Sequence, residues 1–94
     1  MTELNKILSE RGDRYGRFAD VAKTTKRIEW AIQWAMHGKS MRDYQEVALQ
    51  MIASKLARIA NGDPDYVDNW IDIAGYALLV VDELEAERLQ KGGE

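Results

Sequence analysis

The stretch NGDPDYVDNWIDIAGYALLV (residues 61–80) contains the end of one helix and the start of the next. Gly62 can adopt the left-handed conformation that often ends a helix, and Asp63 can cap the helix that follows. Pro64 then falls at a first helical position, where its missing N–H costs nothing. Apolar residues recur afterwards at intervals of three and four, which is typical of an amphipathic helix. The stretch therefore predicts a helical hairpin.

The same three-and-four spacing occurs upstream, and no strand-like alternation competes with it. Only a short connection, about four residues, separates the last two helices, so we expect them to lie antiparallel. The predicted fold is a single all-α domain, a small helical bundle that ends in an antiparallel hairpin. Its predicted segments are a short helix with a Gly/Arg turn (residues 1–17), three main helices (residues 18–90) and a tail (residues 91–94).

Apolar side chains of the last helix are expected to face the core, namely Val67, Trp70, Ile71, Ala74, Ala77, Leu78, Val81 and Leu84. Leu79 and Val80 form a second apolar flank beside this stripe. That flank indicates either contact with another subunit or a wider core-facing stripe. Trp30 and Trp34, one turn apart, are either an exposed patch for a partner or the edge of the core, and we favour the core.

Composition limits the class of protein. The chain has 94 residues, 46% of them hydrophobic, and no cysteine, which excludes disulfides and thiolate metal sites. Such a small domain is helped by self-association, so we expect a homo-oligomer. No apolar run of about 18 residues occurs, and no signal-peptide core is present, so we expect a cytoplasmic protein and no membrane partner. A net charge of −3 argues against general nucleic-acid binding.

Two carboxylates near the start of the last helix are the first candidates for chemistry. Asp68 and Asp72 are four residues apart, so they can hold a hard cation such as Mg²⁺, or they can be solvated acids favoured by the helix dipole. Lys55 lies within the apolar stripe of the preceding helix, with Arg58 beside it, and needs a partner there. These cations either pair with the two aspartates, which we favour, or bind phosphate beside a metal. Glu46 lies on the far flank of its helix and is a more distant candidate ligand.

The stretch RGDRYGRF (residues 11–18) contains three arginines, two glycines and two aromatic residues. Arginine and tyrosine in this setting suit contact with a phosphate or a base, so Arg14 and Tyr15 are candidate ligand-binding residues. The alternative is a turn packed by Tyr15 and Phe18 with solvated arginines.

Three stretches together carry a family resemblance: RGDRYGRF, ALQMIASKLARIANGDPDY (residues 48–66) and DNWIDIAGYALLV (residues 68–80). They are similar to a family of small bacteriophage proteins, which in turn resembles the MazG-like all-α nucleotide pyrophosphohydrolases. The resemblance spans most of the chain. It implies a helical bundle, usually oligomeric, and in the enzymatic relatives Mg²⁺-dependent cleavage of a nucleoside triphosphate to a monophosphate and pyrophosphate.

The enzymes carry an E-x-x-E pair on one helix and an E-x-x-D pair on the next. Asp68 and Asp72 stand where the second pair would be, at a different spacing, and the first pair is missing apart from Glu46. Because lost carboxylates weaken metal binding, the resemblance implies a non-catalytic phage accessory protein that binds a host protein or a nucleotide in the host cytoplasm, with no certain cofactor. The alternative is a pyrophosphohydrolase that uses Mg²⁺ or Mn²⁺, with Lys55 and Arg58 on the phosphates.

Overall fold

The chain folds as four helices joined by short connections. The computed structural model describes the backbone of residues 2–92 and the side chains of residues 3–92. The helices are α1 (Thr2–Tyr15), α2 (Phe18–Met36), α3 (Asp43–Asn61) and α4 (Val67–Gln90). Within the described residues there is no strand. The prediction of an all-α bundle is therefore confirmed.

The first helix is longer than its sequence pattern predicts. α1 continues through Gly12 to Tyr15, so most of the expected Gly/Arg turn is helical. Gly16, with φ of 85°, donates its N–H to the carbonyl oxygen of Gly12 at 2.8 Å, and the helix ends there. Arg11 and Arg14 are therefore held on helical backbone, whereas Arg17 lies in the two-residue connection to α2.

α3 is the central helix, and α1, α2 and α4 all pack against it. α4 contacts no other helix among the described residues. Tyr44, early in α3, donates a hydrogen bond to Glu87, late in α4. Lys55, later in α3, forms an ion pair with Asp72, early in α4. These cross-contacts run in opposite directions along the two helices, which confirms the antiparallel hairpin.

The core of the described chain is small. Its buried apolar side chains are Val21, Ala48, Ala53 and Ala57. The three alanines lie on α3, where they let the neighbouring helices approach closely. The result is an elongated molecule of 59 × 27 × 23 Å with a radius of gyration of 16.6 Å.

The predicted orientation of α4 is wrong. Ile71 and Leu78, expected in the core, are 58% and 62% exposed. The face that meets α3 carries Asn69, which is 1% exposed, and the half-buried Tyr76. α4 is held in this orientation by polar contacts of Asp72 and Glu87 with α3 and the residue before it, and its apolar stripe is left outside.

The exposed fractions of the side chains decide two other predictions, one for the tryptophan pair of α2 and one for the second apolar flank of α4. Trp30 and Trp34 are 64% and 67% exposed, so their assignment to the core is wrong. Their rings stack on each other, with centroids 5.5 Å apart and planes inclined by 17°. Leu79 is exposed and Val80 is half-buried, so these two residues do not form one outward flank.

Across the described residues, none of the helices has the length and apolar character needed to cross a membrane.

Candidate functional site

The Asp72 carboxylate forms an ion pair with Lys55. The Nζ atom of Lys55 lies 2.9 Å from Oδ2 of Asp72, and the Lys55 side chain is only 14% exposed. Asp68 instead accepts a hydrogen bond of 3.0 Å from the hydroxyl of Tyr66. This hydrogen bond, together with burial, raises the pKa of Tyr66 above its ordinary value. The predicted pairing is confirmed for Lys55 with Asp72.

Glu46 lies away from these two aspartates. It lines a separate cleft of about 350 Å³ between α2 and α3, together with Glu29 and Lys39. The described part of the chain contains no group of three or more histidine, cysteine, aspartate or glutamate residues placed to hold a metal ion. Because Asp72 is already paired with a lysine and Glu46 lines a separate cleft, these residues do not fit the metal site of the MazG-like enzymes.

Arg58 and Tyr15, both predicted as ligand-binding residues, lie together. The guanidinium carbon of Arg58 is 4.9 Å from the centre of the Tyr15 ring, and that of Arg11 is 5.2 Å from the same ring. These are cation–π distances. Arg14 lies over the ring of Tyr66, at 5.2 Å, and Lys55 belongs to the ion pair. The rings of Tyr15 and Tyr66 meet edge to face, with centroids 5.9 Å apart. Arg14, Tyr15 and Arg58 therefore belong to one arginine–tyrosine cluster, whereas Lys55 pairs with Asp72.

Two close backbone contacts bring Tyr15 to Arg58. A Cβ atom on Gly62 would overlap the carbonyl group of Arg14, and one on Gly16 would lie 2.5 Å from the carbonyl oxygen of Asn61. The N–H of Asp63 also donates to the carbonyl oxygen of Arg14 at 3.0 Å. Glycine at both positions thus lets the end of α1 rest directly on the end of α3, which fixes Tyr15 over the α3 face that carries Arg58.

A basic cleft opens where α1, α2 and α3 meet. Its volume is about 440 Å³. Its charged lining consists of cations only, and these are Arg11, Arg17, Lys26 and Arg58. Tyr15 and Phe18 supply aromatic surface, while Thr25 and Ser54 supply hydroxyl groups. We call this site the basic cleft.

The lining of the basic cleft suits an anionic ligand of small-molecule size. Ligand sites commonly measure about 300–1,000 Å³, and guanidinium groups bind phosphate in bidentate geometry. Among the described ion pairs, only Lys26 of the cleft cations has a partner, Glu29, at 3.4 Å. No carboxylate or histidine lines the cleft. It therefore offers charge and aromatic surface for binding but no ordinary general base.

The sequence pattern identified part of this cleft. Tyr15 and Arg58 were predicted as ligand-binding residues, and Arg11 and Arg17 belong to the same stretch, residues 11–18. Lys26 and Ser54 were missed. The spacing signal that could have found Arg11 is its place one turn before Tyr15 on the same helix face, which became visible only once α1 was known to extend that far.

The comparisons with known proteins bear on the family alone. A domain of unknown function, DUF6378, matches residues 1–83. Neither the curated proteins nor the solved structures include a match. Because the family match covers all of α1, α2 and α3 and most of α4, the chain belongs to the DUF6378 family.

Proposed function

We propose that this chain is a non-catalytic binding protein that holds a phosphate-bearing nucleotide in the basic cleft. The observation that carries the proposal is the lining of that cleft, which has four cationic side chains and no carboxylate. An anion entering it replaces the water around the arginines with charge-assisted hydrogen bonds.

The aromatic residues of the cleft favour a nucleotide over a bare phosphate ion. Phe18 is 86% exposed although it begins a helix and lines the cleft. An exposed aromatic ring beside arginines offers a stacking surface for a base, while the guanidinium groups of Arg11 and Arg17 take the phosphates. A ligand with both an aromatic base and a phosphate chain uses both parts of the lining.

The alternative activity, Mg²⁺- or Mn²⁺-dependent pyrophosphohydrolysis, has less support. Asp72 would have to leave Lys55 to bind a metal, and Glu46 faces a different cleft. The phage setting, the MazG-like scaffold and the cytoplasmic location belong to the same proposal and rest on the resemblance of the three stretches.

Calorimetric titration with a panel of nucleoside mono- and triphosphates tests nucleotide binding. We expect binding without added metal, weakened about tenfold by Arg11→Ala, which corresponds to about 1.4 kcal/mol. The matched control is Arg27→Ala, an arginine of α2 that does not line the basic cleft. Absence of binding to the wild-type chain at millimolar nucleotide, or equal loss in both variants, contradicts the proposal.

The same panel, incubated with Mg²⁺ or Mn²⁺, tests the enzyme. Release of pyrophosphate by the wild-type chain that is abolished in Asp72→Asn would replace the binding function with the hydrolytic one. Retention of nucleotide affinity in Asp72→Asn, with no pyrophosphate released by either protein, supports the binding function.

A second candidate function, binding of a host protein, is favoured by the tryptophan pair. Trp30 and Trp34 are both more than half exposed and stack on each other on the outside of α2. Exposed tryptophans are typical of the central residues of interfaces. A host protein that binds the wild-type chain and Leu79→Glu, but not Trp34→Glu, would establish this function. Leu79 is the control because it is also exposed but lies on α4.

A further inference from the structure

The monomer exposes more surface than is usual for a compact folded protein of the same mass. Its accessible area is 7190 Å², whereas a compact monomer of this mass exposes about 5,500 Å². Its radius of gyration is 16.6 Å, against about 12 Å for a compact domain of this length. The excess area, roughly 1,700 Å², lies within the range that one partner buries in an obligate dimer, about 1,000–2,500 Å².

The exposed apolar surface of α4 is continuous. Its apolar side chains follow a spacing of four, three, four and three residues, in the order Val67, Ile71, Ala74, Leu78 and Val81. All five are exposed. Alternating steps of four and three are the pattern by which one helix packs along another in a coiled coil. We call this row of side chains the α4 seam.

The α4 seam lies opposite the face of α4 that is already occupied. The residues that face α3 include Asn69, Ile73, Tyr76 and Val80, each displaced by two positions from a residue of the seam. Two positions correspond to about 200° around a helix, so the two rows are on opposite sides. Because α4 contacts only α3 among the described helices, no part of the described chain covers the seam.

The geometry points to a second copy of this chain as the occupant of the α4 seam, in a two-fold dimer with antiparallel α4 helices centred on Ala74. The excess area of the whole monomer is large enough to supply such an interface, and the small core gives the monomer little stability of its own. The inference is independent of nucleotide binding, since no residue of α4 lines the basic cleft.

Charge at the end of the seam selects the antiparallel orientation. The same spacing continues to Glu85 and Arg88, which bond each other within α4 at 2.6 Å. In a parallel, in-register pair each of these residues would face its own copy, and like charges would repel. In an antiparallel pair centred on Ala74, residues 67–81 of one copy pack against residues 67–81 of the other. Glu85 and Arg88 then lie beyond the contact and do not face their own copies.

Sedimentation or light scattering at about 100 μM protein tests the dimer. An obligate interface is expected to have a dissociation constant below about 1 μM, so the dimer should predominate at that concentration. The wild-type chain should have twice the monomer mass of 10.7 kDa. Leu78→Lys should halve that mass, whereas Leu79→Lys should leave it unchanged. The two leucines are adjacent and similarly exposed, at 62% and 60%, but only Leu78 lies on the seam. A wild-type monomer, or an assembly that Leu78→Lys leaves intact, overturns the inference.

Oxidative cross-linking tests the orientation without relying on Leu78→Lys to fold, because the natural chain has no cysteine. In the antiparallel dimer Val67 opposes Val81 of the partner. The double variant Val67→Cys/Val81→Cys should therefore form a covalent dimer, whereas Val67→Cys alone should not. Within one chain the two positions are about 21 Å apart along the helix, too far for a disulfide. Cross-linking of the single variant, or none in the double variant, overturns the proposed arrangement.

Discussion

Lys55 and Asp72 join α3 to α4 through an ion pair with 2.9 Å between Nζ and Oδ2. The lysine is largely buried, whereas 45% of the aspartate side chain is exposed. The pair is therefore sheltered on one side only, and water weakens its Coulomb attraction. Its main effect is to give the ammonium group of Lys55 a partner, so that the lysine can lie within the apolar stripe of α3.

Asp72→Ala should lower the free energy of unfolding by about 1 kcal/mol, because it leaves Lys55 in a sheltered position without a partner. The effect should be smaller than the roughly 3–5 kcal/mol typical of a fully buried pair. Urea unfolding at one fixed protein concentration measures it, with Asp13→Ala as a control on the exposed side of α1. An unchanged stability in Asp72→Ala, combined with loss of a Mn²⁺-dependent rise in Tm, would show instead that Asp72 is a metal ligand.

Gly62→Ala should destabilise the fold by about 2 kcal/mol, because a Cβ at this position overlaps backbone atoms that cannot move independently. Those atoms belong to the carbonyl group of Arg14, at the end of α1. Gly12→Ala is the matched control, since a Cβ there meets nothing within 4 Å inside the same helix. The control should be neutral or stabilise the protein by up to about 1 kcal/mol. Equal unfolding midpoints for the two variants would contradict the close packing of α1 on the α3–α4 turn.

Trp30→Ala should change stability by less than about 0.5 kcal/mol, because an exposed side chain loses little on truncation. Its ring is 64% exposed, and its described aromatic contact is Trp34. Val21→Ala, in the same helix, removes a side chain that is only 7% exposed and should cost about 1–3 kcal/mol. Thermal unfolding of both variants measures the difference. A larger loss in Trp30→Ala than in Val21→Ala would place the tryptophan in a core.

The helices and the hairpin were predictable because they depend on local signals. The three-and-four spacing of apolar residues predicted α2, α3 and α4, and Gly62 and Pro64 marked the turn between the last two. The details predicted for that turn were wrong. Gly62 has φ of −121° and is not left-handed, and α4 begins at Val67 after Tyr66, not at Pro64 after Asp63. The partner of Lys55 was also predictable, since a lysine on an apolar stripe needs an opposite charge and an antiparallel hairpin brings Asp72 to it. Both inferences use distances that the hairpin alone determines.

The rotation of α4 about its own axis was not predictable in the same way. An apolar stripe has the same sequence pattern whether it packs against the core of its own chain or against a second copy. The intramolecular face of α4 uses Asn69, Asp72 and Glu87, which a pattern based on hydrophobicity assigns to solvent. The basic cleft escaped prediction for a different reason. It requires Arg11 and Arg58 to lie beside the same ring, that of Tyr15, and that depends on how the end of α1 rests on the end of α3.

The contact between Tyr44 and Glu87 should make stability depend on pH at the acid end. The hydrogen bond from Tyr44, 2.6 Å long, together with that from Arg42, lowers the pKa of Glu87 below its ordinary value of 4.5. A lowered pKa in the folded state means that the stabilisation is complete above pH 4.5 and is lost as the pH falls through the folded value. The Tm difference between the wild type and Glu87→Gln should therefore shrink below pH 4.5. A difference that does not change with pH would contradict the charged contact.

The same hydrogen bond should act in the opposite sense at the alkaline end. The Glu87 carboxylate accepts a hydrogen bond from the Tyr44 hydroxyl and raises the pKa of Tyr44 above 10.0, with burial adding to the effect. A raised pKa in the folded state means that the stabilisation is complete below pH 10.0 and is lost as the pH rises through the folded value. The Tm advantage of the wild type over Tyr44→Phe should thus decline above pH 10.0. In a Glu87→Gln background, Tyr44→Phe should show a much weaker dependence on pH, because the carboxylate that perturbs the phenol is gone. An equally steep decline in both backgrounds would mean that another group controls the alkaline unfolding.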